Sequence, residues 1–237
     1  MKRRGFMRRL WRGIKRTFII LFVAQFIYII LLKWINPPIT MTQLVSWVSG
    51  HGLKRDYVNW NEISPNIKLA AMASEDQLFP DHNGFDWDAL KKSLQPDPKK
   101  KGKVYGSGAS TISQQTAKNV FLWQGEGFMK YVRKAPEFYF TQLTEWIWGK
   151  QRILEVYLNT IEMGKGIFGI EAASQQYFHK PAKNLTRSEA AQIIACLPNP
   201  KVYTVKPQSR FVSWKSKWIL RQMNNIQDDP DIQALIK

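Results

Sequence analysis

The sequence has little cysteine and little histidine: Cys196 is the single cysteine, and three histidines occur in 237 residues. One cysteine excludes an intrachain disulfide, and its place in the apolar run 193–197 predicts a buried structural thiol rather than a reactive one. The histidines lie far apart in sequence, at His51, His82 and His179. No His, Cys or carboxylate cluster has the spacing of a metal site, so His82 is interpreted as a residue that makes hydrogen bonds within a loop.

Acidic residues are also few, since 18 Asp and Glu stand against 35 Lys and Arg, a formal charge of +17. Eight of the positive charges lie in residues 1–16, which contain no acid, and +17 less 8 leaves +9 for the remainder. A basic domain attracts nucleic acid, anionic lipid or phosphorylated substrates. The ten tryptophans favour a membrane interface or carbohydrate contacts.

One long apolar run spans residues 18–32 and is interrupted by Gln25. With its neighbours it forms a segment at 17–35 that would be about 28 Å long as a helix, enough to cross a bilayer core. Since the positive charges precede it and only Lys33 follows closely, the N-terminus is predicted to stay in the cytoplasm. A cleavable signal peptide is the alternative, but no small-residue cleavage site follows.

These features predict an anchored and exported protein, with its main domain on the periplasmic side of the cell inner membrane. Nucleic-acid binding is disfavoured because an exported domain does not meet nucleic acid. Pro37 and Pro38 end the apolar helix. The predicted organisation is a basic cytoplasmic tail at 1–16, a transmembrane anchor at 17–35, a linker and membrane-proximal segment at 36–62, and a domain at 63–237.

Strand signals are sparse, so the domain is predicted to be mainly α. Ser64-Pro65 is a helix start that predicts a helix over 66–74 with Glu75 at its C-terminal end. The capping box from Thr186 to Glu189 predicts another helix. The remaining helices are expected at 85–94, at 141–160 with a break near Gly149, at 169–178, at 186–197 and at 210–226.

Two segments leave alternatives open. The aromatic-rich stretch 121–140 is typical of a helical core, but its interleaved positive charges equally fit insertion into a membrane surface. The basic, glycine-rich stretch 99–108 is either a solvated linker or a mobile cationic flap over an anionic substrate.

The most informative stretch is 75–84, in which two adjacent carboxylates, Glu75 and Asp76, follow an apolar helical run and open into a loop. Such an arrangement is expected to support general acid–base chemistry. The hydroxyl- and amide-rich segment 109–115 begins a helix whose free N–H groups suit an anion or a hydroxyl. Arg133 and Glu137 have the spacing of an ordinary i,i+4 surface pair.

Several segments, in order, resemble the family 51 glycosyltransferases, which polymerise lipid II. The resemblance covers about residues 60–200. It is carried by Glu75-Asp76-x-x-Phe79-x-x-His82-x-Gly84; Gly108-Ala109-Ser110-Thr111-Ile112-Ser113-Gln114-Gln115 with Lys118-Asn119; Arg133-Lys134-x-x-Glu137; Lys150-x-x-Ile153-Leu154-Glu155-x-Tyr157-Leu158-Asn159; Gly166-x-x-Gly169 with Tyr177-Phe178-x-Lys180; and Glu189-Ala190-Ala191 running on to Pro200.

The resemblance implies a lysozyme-like, two-lobed helical glycosyltransferase domain with one N-terminal transmembrane helix. It implies that Glu75 is the catalytic base and Glu137 a second catalytic carboxylate. Lys118, Arg133 and Lys134 would hold the diphosphate of the lipid-linked glycan, with or without a divalent cation such as Mg²⁺ or Mn²⁺. The further substrate-binding candidates are Asp76, which also braces the loop, Ser110, Gln114, Gln115 and Asn159, while Glu155 is interpreted as support for the cleft.

Bifunctional members of this family continue into a transpeptidase domain, which needs a Ser-x-x-Lys motif and a Lys-Thr-Gly triplet. Neither occurs here, so no transpeptidase activity is expected. The sequence departs from the family pattern at Ala109, at residues 124–127, where an arginine is often found, and at His179, where glycine is usual.

Two other functions compete with this interpretation. A lysozyme-like hydrolase or lytic transglycosylase also places a glutamate at a helix end and binds the same glycan. A non-catalytic scaffold anchored in the wall-synthesis machinery is the second alternative. The expected partners are the membrane, lipid II and lipid-linked glycan, with other cell-wall synthesis or division proteins left open.

Overall fold

The computed structural model describes residues 2–93, 95, 110–125 and 127–237, with side chains from residue 6 onward. The stretch 99–108, Ala109 and Glu126 therefore lie outside the described residues. The chain divides into two compact units, Met1–Asn36 and Pro37–Lys237.

The first unit is built on one helix, α1, at Lys2–Leu31. Its part Phe6–Leu31 is long and apolar enough to cross a membrane. The helix includes the predicted basic tail and ends at Leu31, four residues before the predicted end of the anchor. A signal sequence can have the same length and composition, so the choice between an anchor and a signal peptide rests on the flanking sequence.

The second unit is mainly α, which confirms the predicted fold class. Its helices are α2 Met41–Val48, α3 Pro65–Glu75, α4 Trp87–Ser93, α5 Ile112–Phe121, α6 Met129–Val132, α7 Lys134–Trp148, α8 Lys150–Thr160, α9 Ile170–Phe178, α10 Arg187–Ala195, α11 Arg210–Ile226 and α12 Pro230–Ile236. Short 3₁₀ helices lie at Trp60–Glu62 and Ala182–Asn184.

Many predicted helix boundaries agree with the structure because they depend on local signals. The Ser64 hydroxyl accepts a hydrogen bond from the N–H of Asn66 at 3.2 Å and caps α3. The capping box at the start of α10 is present, α11 has the predicted bounds, and Gly149 separates α7 from α8. His179, at the end of α9, has a left-handed φ of 55°, a conformation that explains why glycine suits this position.

The sequence did not predict α2 or a small three-stranded sheet. Its strands are β1 Lys54–Arg55, β2 Glu162–Gly164 and β3 Ile167–Phe168, in the order β1-β3-β2. β1 runs parallel to β3 with Lys54 opposite Ile167, and β2 runs antiparallel to β3. Strands of two or three residues are too short to show an alternating pattern.

The core of the unit forms around α3, whose apolar run 69–73 is buried. Three of these five residues are alanines, which lets neighbouring helices approach closely. α10, α11 and α12 pack against α3, while α5 packs against α7 and α8. The two groups of helices meet at the C-terminal end of α3, where Glu75 lies.

The aromatic-rich stretch 121–140 divides between the two predicted alternatives. Phe121 stacks on Phe140 with ring centroids 4.7 Å apart, and both residues are partly buried within the domain. Phe128 and Tyr131 are 77% and 74% exposed, so these side chains are available to a membrane surface.

The turn between β2 and β3 generates a stability prediction. Gly50 and Gly166 have nearly the same left-handed φ, 70° and 69°. A Cβ at Gly166 would lie 2.3 Å from the His51 carbonyl oxygen, whereas one at Gly50 meets no atom within 4 Å. Gly50→Ala is expected to cost about 1 kcal/mol, from backbone strain alone. Gly166→Ala should cost at least about 2 kcal/mol more.

The measurement is unfolding of the detergent-solubilised full chain, followed by tryptophan fluorescence. Equal losses of stability in the two variants would show that the close approach to His51 carries no cost.

Candidate active site

The site begins with Glu75, the last residue of α3. Its side chain is half-buried, and it lines a cavity of about 280 Å³ together with Ser110 and Asp86. Its two oxygens accept hydrogen bonds from different side chains, Ser74 Oγ at 3.0 Å and Gln115 Nε2 at 3.1 Å. Both donors are neutral, so they orient the carboxylate without removing its charge.

Asp76 is buried beside the same cavity, and its carboxylate makes its hydrogen bonds to the loop and to the start of α5. The Nε2–H of His82 donates to its two oxygens at 2.9 and 3.0 Å, and the N–H of Ile112 donates to Oδ2 at 2.9 Å. His82 Nδ1 accepts from the N–H of Gly84 at 3.2 Å; this network assigns the Nε2–H tautomer. The predicted bracing role of Asp76 and the loop role of His82 agree with these contacts.

A largely buried ion pair supports the same loop from the other side, and no spacing in the sequence predicted it. Lys150 Nζ lies 2.8 Å from Glu145 Oε1, 4.6 Å from the centre of the Phe79 ring, and also donates to the His82 carbonyl oxygen. Ser113 donates to Glu145. Glu145 and Lys150 are five residues apart and lie on either side of the helix break at Gly149. They therefore lack the i,i+3 or i,i+4 spacing by which a sequence reveals an ion pair on one helix.

The start of α5 holds the predicted amides in two different roles. Gln114 takes part in the capping box with Thr111, whose hydroxyl also donates to the Gly84 carbonyl oxygen at 2.7 Å. Gln115 contacts Glu75, and Tyr157 Oη donates to Gln115 Oε1 at 3.4 Å. Burial, followed by the charges of Glu75 and Asp76, raises the pKa of Tyr157 well above its usual value. Tyr157 therefore stays a hydrogen-bond donor that orients Gln115.

Lys118 lies one turn after Gln115, and both line a second cavity of about 310 Å³. Burial lowers the pKa of Lys118; the charges of Arg133 and Lys134 lower it further, while those of Glu137 and Glu75 raise it. Lys118 is thus close enough to interact with four other charged residues to which the resemblance assigned roles, namely Arg133, Lys134, Glu137 and Glu75. Within the described residues, Lys118 Nζ has no hydrogen-bond or ion-pair partner.

Arg133 and Lys134 both pair with Glu137. Arg133 Nε lies 3.1 Å from Glu137 Oε2, and Lys134 Nζ lies 2.6 Å from Oε1. The side chains of Arg133 and Glu137 are only 6% and 3% exposed, so the interpretation as a surface pair is wrong. Arg133 Nη1 also donates to the carbonyl oxygens of Trp123 and Gln124. Arg133 therefore stabilises the end of α5 as well as Glu137.

Asn159 lies outside the lining of both cavities. It is fully buried, and its amide binds both backbone groups of Val58: Nδ2 donates to the oxygen at 2.9 Å and Oδ1 accepts from the N–H at 3.0 Å. Its substrate-binding role stays a prediction, since these contacts give it a structural role. Glu155 accepts from the N–H of Trp60 at 3.1 Å and pairs with Arg152 at 3.0 Å, in agreement with its interpretation as support.

Gln124 stands in the segment where the resemblance led us to expect an arginine. Its Nε2 donates to Thr42 Oγ1 at 2.9 Å and to Asn119 Oδ1 at 3.2 Å. It therefore joins α2 to the end of α5 beside the second cavity. No group of three His, Cys, Asp or Glu side chains in the described part of the chain could hold a metal ion.

The site therefore combines a carboxylate at a helix end, a neutral amide beside it, and a group of cations of which Lys118 lines the second cavity. This combination suits acid–base chemistry beside an anionic group. A family model described as transglycosylase matches residues 41–224. The chain is 52% identical over 171 residues to a biosynthetic peptidoglycan transglycosylase of Mannheimia succiniciproducens, covering 72% of this chain and 68% of that protein.

Proteins of the same name from Escherichia coli K12 and Shigella boydii are each 47% identical to it over 194 residues, or 81% of this chain and 78% of theirs. The chain belongs to the transglycosylase family.

The cluster of Lys118, Arg133, Lys134 and Glu137 generates a second prediction. Glu137→Gln removes the charge that compensates Arg133 and Lys134, and loss of one member of a buried ion pair costs about 3–5 kcal/mol. Lys134 is 48% exposed, so Lys134→Met should cost about 1 kcal/mol or less. Denaturant unfolding of the full chain in detergent measures both. A Glu137→Gln loss as small as that of Lys134→Met would mean that the pair is solvated.

Proposed function

We propose that this protein is a peptidoglycan glycosyltransferase that polymerises lipid II into β-1,4-linked glycan and releases undecaprenyl diphosphate. The supporting observation is that Gln115 joins two features of the site: it hydrogen-bonds Glu75 in the first cavity, and it lines the second cavity together with Lys118. Family membership and the names of the relatives support the same activity.

In this proposal the 4-hydroxyl of lipid II, the acceptor, enters the cavity lined by Glu75 and Ser110. A sugar hydroxyl is a very weak acid, so attack is assisted by a base that removes its proton as the new bond forms. Glu75 accepts this proton while the hydroxyl oxygen bonds to the anomeric carbon of the growing glycan. The bond from that carbon to the diphosphate breaks, and the diphosphate leaves with the electron pair. Direct displacement converts the α-linkage into a β-linkage.

The leaving diphosphate gains negative charge in the transition state, so cations placed beforehand lower the barrier. Lys118 is suited to this role because its buried ammonium has no partner among the described residues. Lys134 is the more exposed cation and binds the outer side of the diphosphate, while Arg133 acts from within the cluster. Since both oxygens of Glu137 contact these two cations, Glu137 acts by holding them in place.

The proposal also assigns a place in the cell. The apolar segment Phe6–Leu31 and its basic N-terminal flank support a single-pass protein of the inner membrane, with the N-terminus in the cytoplasm and the catalytic domain in the periplasm. The anchor at 17–35, the linker at 36–62 and the catalytic domain at 63–237 follow from this topology. Both lipid-linked substrates reach the site from the membrane.

A peptidoglycan-cleaving enzyme is the main alternative, and the cations distinguish the two. Cleavage has a sugar as its leaving group, so it gains little from Lys118, Arg133 and Lys134. A partly desolvated lysine that has no anionic partner among the described residues is unfavourable there. It is accounted for if an anionic substrate supplies the missing partner.

Glu75→Gln tests the assigned base. With labelled lipid II and the full chain in detergent, we expect polymer formation to fall at least about 100-fold, since the amide cannot accept the proton. Asp228→Asn, which changes an exposed carboxylate in the same way, should leave the rate unchanged. A wild-type protein that degrades preformed glycan and makes no polymer would support the cleaving enzyme instead. Undiminished polymerisation by Glu75→Gln would support a different base.

Lys118 generates a pH prediction. Because burial lowers the pKa of Lys118, its ammonium is lost at a lower pH than that of an ordinary lysine, and kcat/KM should fall on the alkaline side. An arginine keeps its charge throughout this range, so Lys118→Arg should move the alkaline limb to higher pH even if its maximum rate is lower. Lys183→Arg, at an exposed site, is the control. An alkaline limb that does not move would assign it to another group.

A further inference from the structure

The segment that leads into the C-terminal helix α11 begins at the rim of the second cavity. Residues 198–201 line that cavity. The chain then turns back on this rim, because the N–H of Tyr203 donates to the Asn199 carbonyl oxygen at 2.8 Å. A second turn is closed by the N–H of Ser209, which donates to the Thr204 carbonyl oxygen at 3.0 Å, and the Ser209 hydroxyl caps α11. The chain thus runs from the cavity rim to the first turn of α11.

One face of α11 is buried and fixes the helix beside the site. This face packs against α3 and α10, and it is formed by Val212, Ser216, Ile219 and Met223. In the loop that follows Glu75, Gln77 Nε2 donates to Gln222 Oε1 on α11 at 3.1 Å. The exposed side chains of α11 are therefore held in a constant position relative to the two cavities.

Three aromatic rings follow one another from the cavity rim onto α11. Tyr203 stacks on Phe211, with ring centroids 4.0 Å apart and an interplanar angle of 16°, and the ring of Phe211 lies 5.9 Å from that of Trp214. Trp214 is 61% exposed, while the other two are partly buried. Such an exposed tryptophan, supported by two further rings, suits a ligand with apolar faces.

The exposed face of α11 also carries cations. Residues 201–221 contain six Lys and Arg and no acid. Three of these cations are exposed and share one face of the helix with Trp214, at positions i, i+4, i+7 and i+11: Arg210, Trp214, Lys217 and Arg221. We call these four residues, together with Tyr203 and Phe211, the basic aromatic face.

The cations of this face have no counter-ion within the protein. Arg210, Lys217 and Arg221 form no ion pair and no side-chain hydrogen bond with any residue that the structure describes. Lys134, which is also exposed, pairs with Glu137 instead. The charges on α11 are therefore available to an anionic ligand from outside the chain.

A peptidoglycan strand has both features that this face would recognise. Its sugar rings present apolar C–H faces that pack on aromatic rings, and its short peptides carry carboxylates that are ionised at neutral pH. In the proposed reaction the diphosphate end of the growing strand lies at Lys118 in the second cavity, so the older sugars leave that cavity over its rim. Residues 198–201 belong to this rim and lead to the basic aromatic face.

A membrane surface fits the same face less well. Insertion into a membrane needs a broad apolar face, whereas the exposed stripe of α11 has three cations for one tryptophan. The exposed apolar side chains that suit insertion are grouped elsewhere in the domain, at Phe128, Met129 and Tyr131.

We propose that the basic aromatic face binds the growing glycan strand where it leaves the second cavity. Sugar rings stack on Trp214, and carboxylates of the strand's peptides pair with Arg210, Lys217 and Arg221. Because the strand stays bound between successive additions, more units are added before it is released. This inference rests on the proposed function, in which the second cavity holds the growing strand.

The first test measures sedimentation of the detergent-solubilised full chain with purified, insoluble peptidoglycan. Trp214→Ala should raise the Kd at least about threefold, because a stacking contact is lost. Trp146→Ala, which removes a 75% exposed tryptophan from α7, should bind like the wild type and is the matched control.

The cations are tested by removing the carboxylates that they are proposed to bind. Treatment of the peptidoglycan with an amidase, which strips the peptides from the glycan, should weaken wild-type binding. The triple variant Arg210→Gln/Lys217→Gln/Arg221→Gln should bind intact peptidoglycan more weakly than the wild type, and the amidase should change its binding little. An equal effect of the amidase on both proteins would show that these cations do not bind the peptides.

The second test measures the length of the polymer made from labelled lipid II. At equal consumption of lipid II, Trp214→Ala should give shorter strands than the wild type, and Trp146→Ala should give strands of wild-type length. If Trp214→Ala lowers the melting temperature, the triple glutamine variant, altered only at exposed positions, replaces it in both tests.

Three results would overturn the inference. The first is wild-type binding and wild-type strand length in Trp214→Ala. The second is a fall in the molecular mass of the solubilised protein on this substitution, which would make the face an interface between two copies. The third comes from vesicles that contain brominated phosphatidylglycerol: if Trp214→Phe reduces the quenching of tryptophan fluorescence, Trp214 lies against the membrane.

The wild-type reaction separates this inference from the proposed function. A wild type that makes no polymer overturns the proposed function, and with it the assignment of the bound strand as a product. If the wild type polymerises lipid II and Trp214→Ala matches it in binding and in strand length, only the role of α11 is wrong.

Discussion

In the proposed mechanism, a carboxylate must remain charged at the C-terminal end of a buried helix, and much of the site is organised around that requirement. Glu75 is the last residue of α3, where the helix dipole presents its negative end and disfavours another negative charge by about 0.3–1 kcal/mol. Burial adds to the cost. Such a residue is a strong base only if its surroundings compensate for both effects without binding its proton-accepting oxygens too tightly.

The surroundings of Glu75 provide this compensation in two layers. Ser74 and Gln115, which touch the carboxylate, are neutral donors. The positive charge of Lys118 acts from farther away. A direct ion pair would hold the carboxylate more strongly and would make it a poorer base. The negative charge of Asp76, next in the chain, is separately satisfied by His82 and the N–H of Ile112, so it fixes the loop in place.

The parts of the site that could be predicted are those encoded locally. Ser64 and Pro65 determine where α3 begins, and the apolar run that follows determines how far it extends, so the position of Glu75 at a helix end followed from the sequence. The loop role of His82 followed from its isolation from other ligands. The grouping of Lys118, Arg133, Lys134 and Glu137 came from the family resemblance rather than from any spacing.

The parts that could not be predicted join segments that are distant in the chain. Gln77 and Gln222 are 145 residues apart, and Glu145 meets Lys150 across a helix break. The packing of α11 against α3 likewise has no signal in the sequence. The spacing of Arg133 and Glu137 is the same on a helix surface as in an interior, so only the packing of α7 distinguishes a solvated pair from a buried one.

The pairing of Glu137 with Arg133 and Lys134 determines how the cations of the site can act. Three cations and one carboxylate, Lys118, Arg133, Lys134 and Glu137, give the cluster a formal charge of +2, which matches the two negative charges of a diphosphate joined to a lipid and a sugar. Without Glu137, three neighbouring cations would repel one another and lose their geometry in the free protein. With it, Arg133 and Lys134 are ordered in advance, and in the proposed function Lys118 is the cation that meets the substrate. The carboxylate that resembles a second catalytic acid therefore contributes by setting the charge and the order of the cations around it.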